Sequence, residues 1–229
     1  MPTTPSVFIT AAGSSTRFNG QTKQLLPVDG EPIIRRTIRL VREYDPDIPI
    51  YVVTWKPDLK FDDVLVVDTV KPTNTLTDTI LFTEPWWSQT NVFLLGDVVY
   101  YPQSLRKILN SRCLKMFGST ACNGKGYSER FALTFQACDR DVMMKKCVEC
   151  ESLLDMKMGG LARLSVAFKH PAIQKLVYLH VPGLQPVKSF IGNKVFKNLW
   201  WKTSMFEEIG DQTYDIDTPE EYEEYCCAN

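Results

Sequence analysis

A short apolar run, Val7-Phe8-Ile9, passes into Ala11-Ala12-Gly13-Ser14-Ser15-Thr16-Arg17, and Lys23-Gln24-Leu25-Leu26-Pro27-Val28 follows shortly after. No other feature constrains the chain as much. A buried strand that ends in a turn of small side chains lets backbone N–H groups approach a phosphate chain closely. Arg17 and Lys23 add the positive charge that a triphosphate needs. A plain strand-to-helix turn would need neither cation. The segment is not a P-loop, because G-x-x-x-x-G-K-[ST] is absent. It is not a dinucleotide fingerprint either, since G-x-G-x-x-G is missing and no acidic residue follows a second strand at the required place.

The 229 residues suit one large domain, and no internal repeat, low-complexity tract or long linker divides them. A single unit over 1–229 is expected, with a nucleotide-binding half near 1–112 and an acceptor-binding half near 113–229. With 26 basic and 27 acidic side chains the net charge is −1, which argues against a dedicated nucleic-acid binder. No apolar run approaches the roughly 20 residues that span a bilayer. Residues 1–6 are short and polar, and the seven Cys are an odd number. A cytoplasmic protein with reduced thiols and no membrane contact is expected. A homo-oligomer is compatible with the sequence.

Strand and helix signals alternate along the first hundred residues. Strands are expected at 7–12, 49–54, 64–68 and 91–96. Helices are expected at 32–44, 75–86 and 102–111, the first and last with Pro at the start. On the first helix Ile33, Ile34, Thr37, Ile38 and Val41 share a face, and Arg35, Arg36, Arg39 and Arg42 form a solvated basic face. Asn74 or Thr75 is the expected cap of the second helix. Later, 130–136, 163–169 and 175–181 read as strands and 139–154 as a helix, while 182–204 has no clear pattern. Thr218-Pro219-Glu220-Glu221 is a helix start with Thr as cap and Glu at the third position. The alternation implies a three-layer Rossmann-like α/β fold, a mixed and mainly parallel sheet covered by helices on both faces.

The order A-A-G-S-S-T-R at 11–17, then K-Q-L-L-P-V-D-G-E-P at 23–32, then an amphipathic helix, resembles the nucleotidyltransferase superfamily with the GT-A-like fold. Two positions depart from its usual pattern. Ser14 and Ser15 stand where a second Gly is common, and Thr22 stands where a Pro often precedes the Lys. The resemblance implies that backbone amides of Gly13, Ser14 and Ser15 cradle a triphosphate and that Ala11 and Ala12 contact the base. It gives Arg17 the β- and γ-phosphates, and gives Lys23 the α-phosphate and the incoming phosphate. Asn74 and Thr75, in the segment before the second helix, are candidates to read a base edge. They serve equally well as a turn and a helix cap.

Leu94-Leu95-Gly96-Asp97 sets a carboxylate just past a strand end, the edge where ligands bind in open α/β sheets. A hard oxygen ligand beside phosphate suits Mg²⁺. The resemblance makes Asp97 a metal ligand and draws a second from Tyr214-Asp215-Ile216-Asp217-Thr218-Pro219-Glu220. Asp217 is the first choice and Asp215 the second. These two side chains are expected to point apart, so one ligand of the two is expected. An acceptor phosphate already carries its negative charge, so no strong base is needed, and His170 and His180 receive no role.

The implied activity is Mg²⁺-dependent transfer of a nucleotidyl group from an NTP to a phosphorylated small molecule, with release of pyrophosphate. A sugar 1-phosphate is the first acceptor class, and phosphocholine or another alcohol phosphate the second. A glycosyltransferase of the same fold would want D-x-D, and Asp97-Val98-Val99 lacks it. A catalytically dead nucleotide-binding module is the non-enzymatic alternative. Lys169, Lys188 and Lys194 are candidates to hold the acceptor phosphate. Tyr127-Ser128-Glu129-Arg130-Phe131 faintly resembles a stretch in members acting on sugar phosphates or phosphocholine. Trp86-Trp87 and Trp200-Trp201 could form an aromatic cage, although packing is the commoner use of such pairs. Cys147-x-x-Cys150 has zinc-like spacing but lies in an expected helix, and Cys122 and Cys138 stand alone.

Overall fold

Strand β1 (Ser6–Thr10) has side chains on alternate faces, and both faces are covered. A computed structural model describes residues 4–14, 16–119, 129–151, 160–168 and 205–228. Val7 and Ile9 pack into an apolar cluster with helices α1 (Ile33–Tyr44) and α3 (Pro102–Leu109), through Ile34, Ile38, Leu105 and Ile108. Phe8 points into the opposite cluster, beneath α2 (Leu76–Phe82), α4 (Arg140–Glu151) and α5 (Gly160–Ala167). A strand buried on both sides in this way is the mark of a sheet between two helical layers.

The seven-stranded sheet has the order β10-β8-β9-β6-β1-β4-β5. The other strands are β4 (Ile50–Thr54), β5 (Leu65–Asp68), β6 (Thr90–Leu95), β8 (Lys115–Ser119), β9 (Glu129–Gln136) and β10 (Phe206–Glu208). Here β2 (Pro27–Val28), β3 (Glu31–Pro32), β7 (Val98–Val99) and β11 (Tyr214–Asp215) form small ribbons outside it. Strand β1 runs parallel to β4 and β6, and β9 runs antiparallel to β6 and β8. The antiparallel β9 therefore brings its first residues, Glu129 and Arg130, to the edge where the parallel strands end. Aromatic rings cross the sheet in series. Phe8 stacks on Tyr51 at 4.9 Å and on Phe93 at 4.8 Å, and Phe93 on Phe135 at 5.8 Å.

The expected α/β layering holds, with local corrections. Segment 163–169, expected as a strand, is helical in its described part. Leu161, Leu164 and Ala167 recur every third residue and are buried, and α5 packs on α4, α2 and β9. A short apolar run reads equally as strand or helix until its neighbours decide. Helix α2 ends at Phe82, short of Trp86, because Pro85 turns the chain into a 3-10 segment over Glu84–Trp86. Strand β8 was not anticipated; its register shifts against β9 so that Phe117 pairs with Ala132 and Gly118 with Arg130. A Cβ on Gly118 would lie 2.0 Å from the Glu129 carbonyl oxygen, so the strands meet this closely only over Gly. The expectations for 175–181 and 182–204 lie outside the described residues.

The basic face of α1 is only partly solvated. Arg39 pairs with Glu31 and Glu43, and Arg35 pairs with Asp63. Arg36 instead donates to the Tyr100 carbonyl, and Arg42 to the Pro46 and Ile48 carbonyls. Trp87 packs edge-on against Phe135 at 4.7 Å and donates its Nε1–H to Thr83 Oγ1 at 2.9 Å. Trp87 thus packs half-buried against the second cluster, with the Arg140 guanidinium over its ring at 5.9 Å, and Trp86 is exposed. Cys147 and Cys150 are buried in α4 and Cys138 is exposed, and among the described residues no cysteine joins a group of three or more metal-ligating side chains; Cys122 lies outside the described residues.

Candidate active site

The site begins with Gly96. Its N–H donates to the Thr10 carbonyl at 3.0 Å, carrying the β1–β6 ladder one residue past the strand. A Cβ there would sit 2.8 Å from that same oxygen, so Gly is required for the close approach. The next residue, Asp97, is thereby fixed beside the loop that leaves β1. Strand β7 then pairs antiparallel with β11, Val98 with Asp215 and Val99 with Tyr214. The Ile216 N–H donates to the Asp97 carbonyl at 3.3 Å. This ribbon carries a segment more than a hundred residues away onto Asp97.

Helix α6 (Pro219–Ala228) fixes the far end of that segment. Glu221 Oε2 accepts from the N–H groups of Asp217 (2.7 Å) and Thr218 (3.2 Å), while Thr218 Oγ1 accepts from the Glu221 N–H (3.3 Å). This is the reciprocal cap that the T-P-E-E pattern predicts. Side chains two residues apart on an extended segment lie on the same face, so Asp215 and Asp217 project to the same side. Oxygens of Asp97, Asp215 and Asp217 all lie within 4.8 Å of one another. The expectation that the last two point apart is thus corrected: they converge.

Lys23 enters from a 3-10 turn, Lys23–Leu25. Its Nζ pairs with Asp97, and donates to Asp217 Oδ1 at 3.3 Å and to the Ile216 carbonyl at 3.2 Å. Arg17, exposed, reaches Asp217 Oδ2 at 3.1 Å. Burial disfavours the Lys23 ammonium, but Asp97, Asp215 and Asp217 outweigh it and hold its pKa above the ordinary lysine value. Asp215 shows the opposite balance. Burial first, then the charges of Asp97 and Asp217, push its carboxyl well above the aspartate range, and Lys23 opposes them only in part. Its Oδ1 is buried with no hydrogen-bond partner. An orphaned carboxylate oxygen among three acids fits a hard divalent cation, which takes oxygen ligands.

The phosphate loop is stitched to its neighbours at its root and open at its tip. The Ala11 N–H donates to the Val53 carbonyl at 2.9 Å, so it continues the sheet. The Ala11 and Ala12 carbonyls accept from Thr54 Oγ1 (3.4 Å) and the Thr73 N–H (3.3 Å). Gly13 and Ser14 are exposed; Ser15 lies outside the described residues. Thr75 Oγ1 accepts from the Asp78 N–H at 3.1 Å, and Asp78 answers to the Thr75 N–H, so the Thr75 hydroxyl caps α2. Asn74 is exposed beside it. Lys169, Lys188, Lys194, Trp200, Trp201, Tyr127 and Ser128, with both His, lie outside the described residues.

Lys56 went unread in the sequence, and Glu129 was read only within the faint resemblance at 127–131, not as a neighbour of the acids. Lys56 sits just past β4, and Glu129 opens β9 close enough to add its charge to that felt by Asp215. The rule that ligands gather at strand carboxyl ends, applied to β4 as it was to β6, would have found Lys56. Glu129 needed knowledge that β9 runs antiparallel.

Residues 7–122, just over half the chain, match the profile of the MobA-like NTP transferase domain. No curated protein matches the sequence. Solved structures share the fold. Rv0371c from Mycobacterium tuberculosis H37Rv superposes with a TM-score of 0.57 at 17% identity, over 98% of each chain. An inositol-1-phosphate CTP transferase from T. maritima gives 0.57 at 12%, over 98% of this chain and 94% of that one. A putative glucose-1-phosphate thymidylyltransferase from Bacillus anthracis gives 0.52 at 13%, with the same coverage. The profile match and the shared fold agree with the motif order at 11–32, and the chain belongs to the MobA-like NTP transferase domain family, as a nucleotidyltransferase.

Proposed function

We propose that the chain transfers a nucleotidyl group from an NTP to the phosphate of a small molecule, a sugar 1-phosphate first, and releases pyrophosphate with the help of Mg²⁺. One observation carries the reading: Lys23 and the carboxylates Asp97, Asp215 and Asp217 meet at the sheet edge beside an open small-residue loop. An alcohol phosphate is the second acceptor class, supported by the neighbour named for inositol 1-phosphate. In this reading residues up to about 112 bind the nucleotide and the rest binds the acceptor.

An acceptor phosphate oxygen attacks the α-phosphorus. The new P–O bond forms as the bond to the β-phosphate oxygen breaks, and pyrophosphate leaves with those electrons. Asp97, Asp215 and Asp217 would hold the divalent cation, which supplies charge neutralisation to the phosphate oxygens when bound. Lys23, kept protonated by its acids, offsets the repulsion between nucleotide and acceptor anions, which is severe in a dry site. Arg17, exposed at the loop's end, reaches toward the departing pyrophosphate. The backbone N–H groups of Gly13 and Ser14 orient the triphosphate. Asn74, its neighbour Thr75 being committed to the cap, is the side chain left to read the base.

The test is pyrophosphate release with each of the four NTPs, across a panel of sugar 1-phosphates, phosphocholine and inositol phosphate, with Mg²⁺ or with chelator. Release that needs one NTP, one acceptor and the metal is expected. Sugar transfer from a nucleotide sugar without pyrophosphate release would point to a glycosyltransferase instead, and no turnover with any pair would point to a binding module.

A further inference from the structure

Lys56 is 5% exposed, an unusual setting for an ammonium. It stands two residues past Thr54, the last residue of β4, and its backbone is tied to the phosphate loop in two steps. The Lys56 N–H donates to Thr54 Oγ1 at 3.0 Å, and that hydroxyl donates to the Ala11 carbonyl at 3.4 Å. The Lys56 carbonyl accepts from the Leu59 N–H at 3.2 Å, which closes a 3-10 turn and fixes the residue's place at the sheet edge. The sheet order β4-β1-β6 puts the loop after β1 between Lys56 on one flank and Asp97 on the other.

We infer that Lys56 is a second phosphate-binding ammonium, gripping the nucleotide's polyphosphate from the β4 side while Lys23 holds it from the other. The inference rests on the function proposed above. Its electrostatic surroundings agree with it. Burial and the charge of Lys23 both work against the Lys56 ammonium and lower its pKa, while Asp97 and the exposed Asp58 attract it. Asp97 is already bound by Lys23. Two ammoniums on neighbouring loops thus stand in the field of one carboxylate, and a polyanion laid over Gly13 and Ser14 would relieve their repulsion.

The probe is inorganic tripolyphosphate with Mg²⁺, which removes the unknown base from the question. Binding is measured by calorimetry for the wild type, Lys23→Met, Lys56→Met and Lys56→Arg, with melting of each protein in the absence of anion. Lys56→Met is expected to weaken binding about tenfold, the loss of one charge-assisted contact. Lys56→Arg should stay within about threefold, and Lys56→Met should melt at or above the wild-type temperature without anion. If Lys56→Met does not fold, Lys56→Gln against Lys56→Arg gives the same comparison of neutral with charged. Unchanged binding in the neutral variants, while Lys23→Met is weakened, overturns the role of Lys56 alone. So does equal weakening of the neutral and Arg variants with lowered melting of both, which marks a structural lysine. A wild type that does not bind tripolyphosphate overturns the proposed function and this inference together.

Discussion

Lys23 holds its place because Asp97 and Asp217, distant in sequence, pair with it and Asp215 adds its charge, and each of these is a separate point of failure. Replacing Lys23 or Asp97 by Ala is expected to lower pyrophosphate release by about 10²–10³-fold, the size of losing one charge-stabilising group at a reacting phosphate. Circular dichroism should remain native in both. Full activity in either variant would remove that residue from the reaction. Asp215 behaves differently. Its carboxyl is pushed above the ordinary aspartate value of 3.8 by burial and by its acidic neighbours, so the folded protein holds that proton more tightly than the unfolded chain. The stability this provides is complete below the unfolded value and disappears as pH rises through the folded one. Without divalent metal, Asp215→Asn should therefore melt above the wild type at neutral pH, and the difference should vanish in acid. Added Mg²⁺ should raise the melting temperature of the wild type more than that of the variant. A variant that melts lower than the wild type at every pH would contradict the assigned environment.

At the scale of elements, caps and registers place the site. The Thr75–Asp78 box starts α2 directly after the segment that touches Ala12 through Thr73. Thr75→Ala should cost about 1 kcal/mol of stability, read in denaturant melts, while Thr75→Ser leaves it nearly unchanged. If Thr75→Ala loses nucleotide affinity with no loss of stability while Thr75→Ser keeps that affinity, the Thr75 hydroxyl reads the base. Much of this level was legible beforehand: Pro32, Pro102 and the T-P-E-E pattern mark helix starts that the structure contains, and Asp97 falls where an apolar strand ends. Other elements were not legible for physical reasons. The 161–167 run carries too few residues for its period to separate helix from strand, and the packing of α5 on α4 and β9 decides it. The pairing of β8 with β9 depends on Gly118, whose lack of a side chain matters only once the Glu129 carbonyl is beside it.

On the scale of the whole molecule, the site joins the first thirty residues, the end of β6 and the last twenty residues on one edge of one sheet. Motif order alone suggested the partners; the β7–β11 ribbon, invisible in a sequence of two-residue strands, is what joins them. Among the described residues no helix is long and apolar enough to cross a membrane. The convergence can be measured directly with Mn²⁺ as an anomalous scatterer in crystals soaked with α,β-methylene analogues of the four NTPs. A single ion peak bounded by Asp97, Asp215 and Asp217, with the triphosphate over Gly13 and Ser14 and Lys23 turned to the α-phosphate, is the predicted map. An ion or triphosphate bound elsewhere, with these acids still closed on Lys23, would contradict it.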